Sequence, residues 1–291
     1  MTTAGFHPSR GRLVDIGGRR LRAVAAGPAS SAPLILLEAG SFGCAADWAI
    51  VQEKLAAKGL RSLAYDRAGL GYSDPGPSPR DGRAIAADLE ALLAALGETG
   101  PLVAAGHSMA GLMLRVFAPR HREQMLGLVL VDAVTPEMMD VRGPALGFHA
   151  YRSAMKLVGP LSGAGFMRPV SLVIGDLIGL EGEARKEKRR VYGSAVHARW
   201  SADEVQNWMR TVRQAREPFD PDLPVAVVTA GDGAKAVRMK ALQVAPAQAS
   251  RLGYVEHAPG ANHASLLGKS FADPIVRGVE HVLASALSKA A

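Results

Sequence analysis

The sequence holds a single cysteine, Cys44, among 291 residues. One thiol cannot close an intrachain disulfide, so the fold must rest on a buried core, and this usage fits a reducing compartment. No apolar run reaches the ~18 residues that a membrane-crossing helix needs. Met1 to Arg22 carries arginines and glycines but no apolar stretch of the signal-peptide kind, so a cytoplasmic protein without a membrane span is expected. No internal repeat or long low-complexity run is present. No histidine pair has metal-ligand spacing, so no metal is expected. No zinc-finger, homeodomain or RRM pattern is found, and no nucleic acid is expected as a partner.

What is present suits an enzyme-sized globular domain. Apolar residues make up 48% of the chain, enough for a sizeable core. Lys plus Arg number 34 against 27 Asp plus Glu, a formal charge of +7. These basic residues are scattered except for Arg185, Lys186, Lys188, Arg189 and Arg190. That cluster reads as a solvated helix face, with no function assigned to it. Oligomeric state is left open.

Short apolar runs alternate with helix-like stretches. Strands are predicted at Leu34–Leu37, Ser62–Tyr65, Leu102–Ala105, Leu126–Val131, Val225–Thr229 and Arg251–Val255. Helices are predicted from near Asp47 to Lys58, over Arg83–Leu96 with Gly97 as its cap, over Met109–Ala118 before Pro119, and over Phe271–Leu287. This alternation predicts an α/β fold, a mostly parallel central sheet with helices on both faces. Ligands then bind beyond the carboxyl ends of the strands. The stretch from Pro136 to Phe219 breaks the rhythm. It carries Met138, Met139, Phe148, Met155, Phe166, Met167, Trp200 and Trp208. It is expected to be a helical cap over 136–219, inserted into a core of 1–135 and 220–291. Its methionines and aromatics suit an apolar pocket, although most should simply pack the cap on the core.

After the predicted strand at Leu102 comes Gly106-His107-Ser108-Met109-Ala110-Gly111, and then a helix. A serine at the apex of a strand–turn–helix is exposed on a strained backbone, and the turn needs small residues two positions either side. Gly106 and Ala110 meet that need. The helix N-terminus favours negative charge beside Ser108, which points the Met109 N–H at a developing oxyanion. Serine needs a base, and the base needs an orienting carboxylate. His263, in a Gly-Ala-Asn-His turn before the last helix, is preferred as base over His257. His7, His121, His149 and His197 lack such a setting.

With Glu38-Ala39-Gly40-Ser41, Asp47-Trp48, the run Tyr65-Asp66-Arg67-Ala68-Gly69-Leu70-Gly71-Tyr72-Ser73, the Ser108 turn and Gly260-Ala261-Asn262-His263, the chain resembles the α/β-hydrolase superfamily over nearly its whole length. It resembles small Ser-dependent esterases, lactonases, aminopeptidases and cofactor-free haloperoxidases. The resemblance implies a second oxyanion donor at the Ser41 N–H, with Gly40 as the loop glycine. Glu38 stands where histidine is usual, and it is expected to bind the loop's own backbone. Cys44 is read as packing. The Asp66–Ser73 run lacks the third glycine and the lysine of nucleotide loops, so it is expected to be a structural turn, with Asp66 and Arg67 in polar contacts near the site. The chain order Ser, acid, His leaves two acids, Asp232 after the strand Val225–Thr229 and Asp132 after Leu126–Val131; Asp232 is favoured. The expected activity is hydrolysis of an ester, thioester or lactone of a small molecule with an apolar moiety, with no cofactor. A serine at the nucleophile position disfavours haloalkane dehalogenase and epoxide hydrolase chemistry. A lyase or C–C bond hydrolase on the same triad, and a non-catalytic ligand-binding homologue, remain the alternatives.

Overall fold

Successive residues of a strand face opposite ways, and the central strands here are apolar on both sides. Ile35 and Leu37 pack with Val103, Ala105, Val129, Val131, Ala226 and Val228. Leu34 and Leu36 pack on the other side with Leu102, Ala104 and Leu128. Such a sheet has to be covered twice, and it is. The computed structural model describes residues 9–163, 177–231 and 237–290; His7, Phe166, Met167 and Asp232 lie outside them.

The strands are β1 (Arg12–Asp15), β2 (Arg20–Ala26), β3 (Leu34–Glu38), β4 (Ser62–Tyr65), β5 (Leu102–His107), β6 (Met125–Val131), β7 (Val225–Ala230) and β8 (Gly253–Ala258). They form one sheet in the order β1-β2-β4-β3-β5-β6-β7-β8. β2 runs antiparallel to β1 and β4, and every other pairing is parallel. Helices α1 (Ala49–Ala57) and α9 (Asp273–Ala290) cover one face. The other is covered by α2 (Gly82–Leu96), α3 (Ala110–Phe117), α7 (Trp208–Gln214) and α8 (Val237–Ala249). The α2 ends are fixed as their sequence suggests. The Asp81 side chain accepts from the Ala84 N–H at 3.1 Å, and Gly97 closes the helix at φ 72°.

Between β6 and β7 the described elements are all helical: a 3₁₀ turn (Pro136–Asp140), α4 (Arg142–Gly163), α5 (Gly182–Tyr192), α6 (Ala195–Gln206) and α7. α4 packs along α6, and α7 packs on α2 and α3. Among the described residues, no helix is long and apolar enough to cross a membrane.

The predicted strands and helices all appear, with ends shifted by a few residues. The hairpin β1–β2 and helix α8 are additions. β2 hides itself by burying Arg22, and α8 carries Pro246 inside it. The basic cluster needs correcting, because it is not a uniformly solvated face. Lys188 is buried on α5, ion-paired with Asp47 and 4.0 Å over the Tyr192 ring. Its neighbour Glu187 is also buried and pairs with Arg22 of β2. Lys186 and Arg190 do face solvent.

Candidate active site

The carboxyl ends of β5, β6, β7 and β8 lie along one edge of the sheet, and the predicted residues gather there. Ser108 directly follows β5 at φ 59°, half-buried, in the left-handed region that costs a non-glycine residue energy. Main-chain bonds hold it. Its N–H donates to Val131 O at 3.0 Å, and its carbonyl accepts from the N–H groups of Gly111 (3.1 Å) and Val134 (2.9 Å). The turn needs its small residues. A Cβ on Gly106 would lie 2.7 Å from Leu114 Cδ1 and 3.1 Å from Ala110 Cβ. On Gly111 it would meet Val134 O at 2.7 Å. Helix α3 begins at once, so the Met109 and Ala110 N–H groups fall in its first turn, where no intrahelical acceptor exists.

Asp132 follows β6 at φ 43°, its N–H donating to Val228 O at 2.7 Å. One carboxylate oxygen accepts from Gln243 Nε2 of α8 (2.9 Å) and the Ala230 N–H (3.3 Å). The other lies 2.5 Å from His263 Nδ1. Burial alone would raise this carboxyl's pKa. The His263 bond and charge, with the Ala230 and Gln243 donors, outweigh it and hold Asp132 below the usual carboxylate range. An ionised carboxylate only accepts, so His263 carries its proton on Nδ1 and leaves Nε2 as the basic nitrogen.

His263 sits in the turn after β8, on a scaffold made by Asn262. The Asn262 Oδ1 accepts from the N–H groups of Ala264 (3.0 Å) and Ser265 (2.9 Å). His107, next to Ser108 in the chain, contributes a second hold. Its Nε2 lies 2.8 Å from the His263 carbonyl, and the two rings are 4.4 Å apart. A carbonyl can only accept, so His107 is the Nε2–H tautomer. Burial first, and the nearby His263 second, push its pKa down to about 3, so it stays neutral. His257 goes elsewhere, with its Nδ1 2.6 Å from Thr229 Oγ1.

The loop after β3 approaches Ser108 closely. A Cβ on Gly40 would lie 3.0 Å from Ser108 Cβ and 3.2 Å from His107 O, so only glycine fits without displacement. Ser41 comes next, its Oγ 3.1 Å from the Tyr151 hydroxyl of α4. Glu38 does not bind the loop backbone as expected. Its carboxylate takes the Tyr65 hydroxyl and Arg67 Nη1. Arg67 holds the backbone instead, donating to Ala39 O (2.5 Å) and Gly40 O (2.9 Å). It also grips Glu204 of α6 with Nε and Nη2, each at 2.8 Å. Asp66 accepts from the N–H groups of Ala45 (2.7 Å) and Tyr72 (3.0 Å) and pairs with Arg22, which makes the Asp66–Ser73 run a structural turn. Cys44 is buried, and burial, followed by the Asp47 charge, pushes its thiol pKa well up.

The structure therefore brings Ser108, Asp132, His263 and the Gly40–Ser41 loop to one edge. Asp232 lies outside the described residues. Arg67 makes the polar contacts near the site that were expected of it, while Gln243, His107 and Tyr151 join the site without having been assigned roles. For His107 the signal was its place beside Ser108. For Gln243 and Tyr151 no local pattern existed.

Comparison with known proteins agrees with this fold. A family model described as the alpha/beta hydrolase fold matches residues 33–150. The structure is similar to a thermophilic esterase from Thermogutta terrifontis, with a TM-score of 0.65, 21% identity, and coverage of 92% of this chain and 94% of that one. It is also similar to the epoxide hydrolase CorEH, with a TM-score of 0.66, 20% identity, and coverage of 93% and 97%. In sequence, 151 residues are 36% identical to the probable transporter efuK of Hormonema carpetanum, over 49% of this chain and 21% of that protein. The chain spans between 21% and 32% of the length of the curated relatives it matches. With its sheet order, its strained serine turn and a family model matched over residues 33–150, the chain has the α/β-hydrolase fold.

Proposed function

We propose that the protein is a serine hydrolase that cleaves a carboxylic ester, thioester or lactone of a small molecule through an acyl-enzyme. The observation that carries this reading is the 2.5 Å contact between Asp132 and His263 Nδ1, at the same sheet edge as the left-handed Ser108 turn. In this reading Asp132, not the earlier favoured Asp232, is the acid of the triad. Ser108 Oγ attacks the acyl carbon and its proton passes to His263 Nε2. The Met109 and Ser41 N–H groups receive the oxyanion, each worth ~3 kcal/mol of transition-state stabilisation. Collapse breaks the acyl–oxygen or acyl–sulfur bond, and the imidazolium returns its proton to the leaving group. Water, deprotonated by His263, then releases the acid. Asp132 holds the imidazole in its reactive tautomer throughout.

Residues 136–219 act as the cap and residues 1–135 and 220–291 as the core, with the cap supplying an apolar wall for part of the substrate. Epoxide opening and dehalogenation by an ester intermediate need a carboxylate nucleophile, and position 108 holds serine. The test is hydrolysis of p-nitrophenyl esters of increasing acyl length by the wild type and by Ser108→Ala. Turnover by the wild type that falls by at least roughly 10³-fold in the variant is expected. A folded wild type inert on every ester overturns the reading and favours a lyase or a ligand receptor.

A further inference from the structure

The oxyanion loop is held by charge from behind. A trans peptide points its C=O and the following N–H in opposite directions. The carbonyls of Ala39 and Gly40 both aim at one guanidinium, that of Arg67. The N–H groups of Gly40 and Ser41 must therefore both aim away from it. Two successive N–H groups on one side make a concavity that suits an anion. Gly40 packs against Ser108 Cβ, so this concavity borders the nucleophile. Arg67 is itself fixed. It is buried, and its remaining donors are taken by Glu38 of β3 and by both carboxylate oxygens of Glu204. Glu204 belongs to α6, in the insertion. The insertion grips the same loop again through His197, whose Nε2 lies 3.3 Å from Phe42 O while its Nδ1 accepts from the Gly71 N–H.

Resting on the serine-hydrolase reading above, we infer that Arg67, locked by Glu204, is a positioning residue that sets the direction of the Ser41 N–H, so that docking of the insertion completes the oxyanion hole. Arg67 touches no substrate. Its effect passes through the Gly40–Ser41 peptide. Loosening it should therefore weaken binding of the tetrahedral, negatively charged state and leave binding of the neutral ester nearly unchanged.

The test compares wild type, Arg67→Lys and Glu204→Gln. Three quantities are measured for each: kcat and KM on a p-nitrophenyl ester, the inhibition constant of phenylboronic acid, and the thermal midpoint. Lysine keeps the charge but cannot span two carbonyls and two carboxylates. Glutamine keeps the shape of Glu204 and guards against a variant that fails to fold. In Arg67→Lys kcat should drop by roughly 10²-fold, as for loss of one oxyanion donor, with KM within about twofold and the boronate weakened in parallel. Glu204→Gln should show the same pattern at roughly tenfold. If an active wild type shares its kcat and boronate affinity per folded molecule with both variants, or if KM rises while kcat holds, the inference is overturned and Arg67 is merely structural. If the wild type neither turns over esters nor binds the boronate, the serine-hydrolase reading falls and this inference falls with it.

Discussion

The two halves of the site are held by different means. Ser108, Asp132 and His263 are fixed from within the core, largely by main chain: Val131 O, Gly111 and Val134 N–H, Val228 O, and the Asn262 turn. The Gly40–Phe42 loop is fixed largely by side chains, and Glu204, His197 and Tyr151 among them come from the insertion. The core half finds its partners within the core, and the loop half takes several of its partners from the insertion. A second buried charge network, Lys188–Asp47 and Arg22–Glu187, also joins insertion to core, but it touches no atom of the proposed triad. Under the proposed reading, buried ion pairs of this protein serve chemistry in one place and docking in another.

The contrast can be broken first at the core half. Asp132→Asn keeps the Gln243 and Ala230 bonds within reach but no longer enforces the His263 tautomer. We expect kcat to fall by roughly 10³-fold, with the thermal midpoint little changed. An active Asp132→Asn would return the acid to Asp232. The docking network should give the opposite result. Lys188→Met leaves Asp47 buried without its cation, which should cost about 3 kcal/mol of stability by urea denaturation, while kcat per folded molecule holds. Adding Asp47→Leu should recover most of that loss, and a drop in kcat instead would make this network part of the site. The smallest effect is one of slope. Burial, with Lys188 second, holds the His197 pKa near 3, against about 6.5 in the unfolded chain. Between those values the unfolded chain binds a proton that the folded chain refuses. Stability therefore falls as pH drops, by about 1.4 kcal/mol per unit. His197→Gln can keep both hydrogen bonds and lacks the titration, so its stability should fall less steeply from about pH 6 to 4. An unchanged slope would mean that His197 is protonated in the fold.

The parts that were legible in the sequence are those written locally. The Ser108 turn needs glycine and alanine at fixed offsets, and the core strands are apolar runs, so both could be read directly. The His263 turn owed its reading to family likeness as well as to its place before the last helix. The choice of acid was not legible, because Asp132 and Asp232 both follow strands; the proposal of Asp132 rests on its contact with His263, which only the fold brings about. The basic cluster was misread for a related reason. Lys188 finds its carboxylate in Asp47, 141 positions away, and sequence neighbours say nothing about it. Glu38 was given a backbone role that falls to Arg67, because the Tyr65 hydroxyl and Arg67 itself, both distant in sequence, satisfy the Glu38 carboxylate. β2 escaped because a buried Arg22 breaks the apolar alternation by which strands are recognised.

Among the described non-glycine residues, Phe42, Ser108 and Asp132 alone have positive φ, and each stands in or beside the site. A search for more stable sequences, whether by evolution or by design, would be drawn to these positions. Glycine adopts that backbone without strain, and relief is worth on the order of 1 kcal/mol per position. Any stabilisation campaign on this scaffold should therefore hold these three fixed, since an unconstrained one would improve the protein by erasing the proposed chemistry.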